Sequence, residues 1–132
     1  MPENNGEISR EDRGADAYAN QLRVTRAEAG DWFREHFGER FTTEAMNAAG
    51  GAWVNDCLTP RDRSLAVIAS LVTQGGVETR LRTHVRWAID QGSTRDELEA
   101  LVTLLAVYIG YPRASVAMEV VRIELARLEA ER

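Results

Sequence analysis

One cysteine, two histidines and three prolines in 132 residues are few, and each shortage excludes a class of function. With Cys57 alone, no intramolecular disulfide can form, and a zinc site built on several cysteines is ruled out. With His36 and His84 as the only histidines, a metal ion would need carboxylates gathered around one or both, and no HxxxH pair exists to begin such a site. No metal is expected. Excess positive charge is also missing: the chain carries −5 at neutral pH, whereas nucleic-acid binding needs a concentrated basic face. The apolar run from Leu65 to Thr73 reaches about half of the roughly 20 residues that a bilayer span requires, and no run is long enough to cross. Met1 to Arg13 is polar and acidic rather than a basic head followed by an apolar segment, so a cytoplasmic location is expected. Strand signals are lacking as well, because β-branched patches such as Ala66-Val67-Ile68 sit inside segments with helix caps.

What is present reads as an ordinary globular composition, 44% hydrophobic and 28% charged, of a size that suits one domain. Residues 1–13 carry no periodicity and are expected as a flexible tail, with 14–132 as a single domain. From Ala15 to Phe37 apolar residues recur at helical spacing, with Gly30 and Gly38 weakening or ending the segment. Thr42 or Thr43 is placed to cap a short helix that Gly50-Gly51 would end. Thr59-Pro60 with Asp62 opens a helix running to Gly75-Gly76. The next spans about Glu78 to Gln91. Thr94-Arg-Asp-Glu97 is a capping box for the one after it, closed by Gly110 and Pro112. A last helix carries Val116, Val120, Val121, Leu125 and Leu128 toward the C-terminus, where Glu124 to Arg132 reads as a solvated face. The expectation is an all-α protein of about six helices joined by short connections.

Four elements between Trp53 and Ala117 resemble the carboxymuconolactone decarboxylase family, also called AhpD-like. They are Arg61-Asp-Arg63-Ser64-Leu65 at a helix start; Leu81-x-x-His84-x-x-x-Ala88; Gly92-x-Thr94-x-x-Glu97-Leu98; and Tyr108-x-Gly110-x-Pro112-x-Ala114. Their order and spacing together make the match specific. The resemblance implies an all-α bundle of the AhpD-like type that assembles into trimers or hexamers. It also implies one of two chemistries: thiol-based reduction through Cys-x-x-Cys, or decarboxylation of a carboxylated lactone without a cofactor.

The thiol branch places its cysteines just before the histidine, where this chain has Arg80 and Thr83; a dithiol cycle cannot run here. Cys57 lies outside that motif and reads as a small packing residue or, less readily, a lone thiol nucleophile. The decarboxylase branch needs only a held carboxylate, a stabilised oxyanion and a delivered proton. His84 suits a general acid/base and Arg80 an anchor for the carboxylate or oxyanion, and the positive neighbour favours a neutral imidazole. Arg80, His84, Trp87 and Gln91 fall on one helical stripe beside the core face of Leu81, Val85 and Ala88. Trp53, Trp87 and Tyr108 are candidate pocket walls, and Glu78 a nearby carboxylate. Three positions depart from the family pattern: Arg80 replaces a Glu four residues before the histidine, and Ala100 and Leu104 replace a Glu and a Gln. The reading is therefore a cofactor-independent lyase or isomerase acting on a carboxylated lactone or related enolisable small molecule. A non-catalytic binding or assembly protein on the same scaffold stands as the alternative, followed by a single-cysteine enzyme.

Overall fold

Ser9 opens the first helix, its hydroxyl accepting the Asp12 N–H at 3.1 Å. The computed structural model describes residues 6–54 and 57–132. Helix α1 (Arg10–Leu22) thus begins inside the stretch expected as a tail, because a Ser cap followed by Glu11 and Asp12 suits a helix N-terminus. The segment expected as one helix from Ala15 to Phe37 is broken: Arg23 turns left-handed with φ 59° and closes α1. Thr25 and Glu28 then form a reciprocal capping box that starts α2 (Arg26–Ala52). That box stands in the sequence as Thr25-Arg-Ala-Glu28, but apolar spacing continuing on both sides hides the break.

Gly38, with φ 78° and ψ 170°, is non-helical and divides α2 into two helical segments at a kink. The short second helix thus starts at Gly38 rather than at Thr42 or Thr43, and buried Thr42 donates its hydroxyl to the Gly38 carbonyl at 2.7 Å. It closes at Ala52, next to Gly50-Gly51. A Cβ at Gly50 would overlap the Arg10 carbonyl oxygen, and one at Gly14 the Met46 carbonyl oxygen. These glycines let the α1 and α2 backbones touch, and the small core of Ala15, Phe33 and Met46 fills in beside them. Tyr18 packs on Phe33 with ring centroids 4.3 Å apart. His36 donates from Nδ1 to the Trp32 carbonyl at 2.7 Å and stacks on the Trp32 ring. The helices α1 and α2 belong to one compact unit, Met1–Cys57.

The second unit, Leu58–Arg132, holds four helices. They are α3 (Pro60–Gln74), α4 (Glu78–Asp90), α5 (Arg95–Ile109) and α6 (Tyr111–Ala130), each near the bounds its caps and glycines imply. Thr59 caps α3 and the Thr94–Glu97 box caps α5, as expected. The core joins Ile68 and Val72 of α3, Leu81, Val85 and Ala88 of α4, Leu98 and Val102 of α5, and Val121 and Leu125 of α6. Arg61 pairs with Asp62 at 3.6 Å and with Glu97, so the capping carboxylate of α5 also ties down the start of α3. Glu99 pairs with Arg95 and Arg122. At the C-terminus Arg127 pairs with Glu124 and Glu131, but Glu124 is buried, so the segment is not solvated all round. Among the described residues no helix is long and apolar enough to cross a membrane.

Candidate active site

Helix α4 positions the histidine. Its apolar residues Leu81, Val85 and Ala88 recur every three or four positions and are buried, which fixes the rotation of the helix. His84 follows Leu81 by three residues and comes to rest half-buried at the edge of that face. Its pKa is pulled down to about 4, first by burial and second by the Arg80 guanidinium one turn earlier. At neutral pH the imidazole is uncharged and a weakened base, so it can accept a hydrogen bond but takes up a proton, and acts as an acid, only if its surroundings change.

The other candidate residues are distributed unevenly. Arg80 is exposed on α4. The Trp87 ring lies 6.0 Å from His84, centroid to centroid, but is only 5% exposed. It therefore backs the imidazole from the core instead of standing in an open wall. Gln91 ends α4 as its half-buried C-cap. Glu78 opens α4, and its Oε1 accepts the Gly76 N–H at 3.1 Å. Tyr108, on α5, is 80% exposed. Trp53 is the C-cap of α2 and belongs to the first unit. Cys57 is exposed rather than packed, because it falls in the connection between α2 and α3 and not on a helix face. The structure thus brings Arg80, His84 and Trp87 together on α4, with Glu78 at the head of the same helix.

A cleft of about 230 Å³ opens in the second unit where the end of α3, the start of α4 and the first turn of α6 meet. Val72, Leu81 and Val116 form apolar walls, and Gln74, Glu78 and Arg113 supply polar groups. Neither His84 nor Arg80 lines it. Arg113 is the residue that sequence reasoning missed. It sits in the Pro112-x-Ala114 segment as an unremarkable variable position, and only the fold carries it to the end of α3, where Nη1 donates to the Thr73 carbonyl at 2.7 Å.

The two positions where polar family residues are replaced, Ala100 and Leu104, are both exposed on α5. They share a face with Val107 and Tyr108, at successive helical spacings of four, three and one.

The model of the carboxymuconolactone decarboxylase family matches residues 41–122, a span that includes His84, Arg80 and the whole cleft. The chain is similar to the 4-carboxymuconolactone decarboxylase of Acinetobacter baylyi, with 38% identity over 71 residues. That match takes in 54% of this chain and 52% of the relative, so the chain spans about half the relative's length. The chain, all-α among the described residues and with a single cysteine, belongs to the carboxymuconolactone decarboxylase family.

Proposed function

We propose that this protein is a cofactor-independent lyase, or an isomerase of related mechanism, acting on a carboxylated lactone or similar enolisable acid. The observation that carries the reading is a half-buried, neutral His84 one turn after Arg80, within the span matched to a decarboxylase family. Loss of CO₂ from such an acid sends the electron pair of the breaking C–C bond into the conjugated lactone, leaving a dienolate that must take up one proton. Arg80 anchors the carboxylate or the developing oxyanion. Binding an anion beside Arg80 offsets the smaller of the two effects that disfavour the imidazolium, burial being the larger, and so raises the basicity of His84, which takes a proton from solvent and delivers it to carbon. Trp87 holds the ring from behind, and Tyr108 and Glu78 remain candidate substrate contacts. Isomerisation would use the same histidine to remove and return a proton.

Self-association belongs to the same proposal. Leu104, Val107 and Tyr108 form a strip of exposed apolar surface on α5, continued by Tyr111, and a trimeric or hexameric assembly would cover it.

The test is CO₂ release from a panel of carboxylated lactones, with wild type, His84→Gln and Cys57→Ser compared at matched helicity. We expect His84→Gln to lose at least a hundredfold in kcat and Cys57→Ser to match wild type. Undiminished turnover by His84→Gln would remove the histidine mechanism, and loss of activity in Cys57→Ser would point to the single thiol. A second reading, a binding protein without chemistry, is favoured by one observation: neither His84 nor Arg80 lines the cleft. Saturable binding of these acids with no turnover would establish it.

A further inference from the structure

The cleft between α3, α4 and α6 has a cation of its own. Arg26, Arg34, Arg61, Arg95, Arg122 and Arg127 each pair with carboxylates. Arg113 forms no ion pair among the described residues. Its side chain crosses from the first turn of α6 to the last turn of α3, and the bond from Nη1 to the Thr73 carbonyl holds the planar guanidinium in position. One N–H of five is used in that bond, so the fork keeps donors to offer a carboxylate. Gly75 lies beside it, where a φ of 67° suits glycine and a Cβ would meet Nε at 3.4 Å, an ordinary contact.

The rest of the cleft sets the kind of anion. Val72, Leu81, Val116 and Ala117 offer an apolar body-binding surface. Glu78 lies on the polar side, tied to the Gly76 N–H and making no ion pair with Arg113, and its charge opposes a second negative group on the ligand. The volume of about 230 Å³ is below the usual range for drug-sized ligands, roughly 300–1,000 Å³, and selects a small molecule. Leu81 walls the cleft and precedes His84 by three residues, which places the cleft and the histidine on adjoining strips of α4.

We propose that this cleft binds a small monoanionic acid, its carboxylate on Arg113 and its apolar body between Val72, Leu81 and Val116, which leaves Arg80 to the developing oxyanion, and that Arg113 selects the substrate. This rests on the reading above only in taking the acid to be the substrate. The carboxylate keeps its full charge in the ground state, so an arginine on it favours binding over the chemical step. Arg113 therefore governs KM more than kcat.

The experiment titrates the full chain with benzoate and with benzamide, its uncharged counterpart, following backbone amide NMR signals. Benzoate is expected to shift Gly75, Gly76, Val77 and Ala117 saturably, and benzamide to leave them in place. Arg113→Gln should weaken benzoate at least tenfold. Val116→Phe fills the cleft from a half-exposed position without touching the charge, and should abolish the shifts even if Arg113→Gln folds poorly. Equal shifts from benzamide, shifts confined to other residues, or unchanged benzoate affinity in a folded Arg113→Gln would each overturn the proposal. Kinetics with any acid that is turned over separates the two ideas. A KM unchanged by Arg113→Gln, alongside turnover that depends on His84, removes the cleft and leaves the lyase. Benzoate held in the cleft of a protein that turns over none of the acids removes the lyase and leaves the cleft.

Discussion

His84 has a consequence for stability as well as for chemistry. Its pKa of about 4 lies below the 6.5 of an exposed histidine, so the unfolded chain takes up a proton before the folded one does. Above pH 6.5 both states are neutral at this position and it favours neither. As pH falls from 6.5 toward 4 the unfolded state gains the proton alone, and folding stability drops by on the order of 3 kcal/mol before levelling off. Urea unfolding of wild type and His84→Gln between pH 7 and pH 4 measures this: wild type should lose more stability across that window, and parallel curves would contradict the burial argument. The same depressed pKa assigns the imbalance at the site, since a neutral imidazole beside Arg80 needs an anion before it can serve as an acid. Cys57 carries the opposite lesson. A lone cysteine in a sequence is most often a packing residue, yet this one is exposed in a connection between helices.

At the scale of the element, the α1–α2 hairpin depends on glycine. Gly14 and Gly50 are helical positions where glycine would ordinarily weaken a helix, but each faces a carbonyl oxygen of the other helix too closely for a Cβ. Gly14→Ala should therefore destabilise the protein by about 1–3 kcal/mol, although alanine is the better helix former. Thermal unfolding followed by helical circular dichroism tests it, with Gly92→Ala as a contrast, where a strained φ of 100° but open space surrounds the residue. A Gly14→Ala variant as stable as wild type would show that the helices can separate without loss. The glycines at 50 and 51 looked like a helix end in the sequence because helices often close on glycine. A residue's conformational freedom and its lack of a side chain are indistinguishable until the neighbouring helix is in place.

For the whole molecule, the exposed face of α5 is the feature that a lone chain leaves unexplained. Leu104 at 57%, Val107 at 73% and Tyr108 at 80% exposure form one apolar strip, and a polar family pattern at Ala100 and Leu104 has given way to apolar residues on the same side. We expect homo-oligomers by sedimentation, and Val107→Asp should shift them toward monomer while leaving the helices intact. A monomeric wild type would instead make the strip a surface for another partner. The capping boxes at Thr25 and Thr94, the Thr59-Pro60 start and the core spacing of α3 to α6 are local, governed by hydrogen bonds within one turn and by burial of one face. For that reason the all-α class, the second-half helix bounds and the family were legible in the sequence alone, together with the absence of a cysteine pair. The close approach of α1 and α2 at Gly14 and Gly50, the burial of Trp87, the exposure of Cys57 and the arrival of Arg113 beside Gly75 were decided by tertiary structure. Each turns on which distant backbone or side chain occupies the adjoining space, and spacing along one chain carries no record of that.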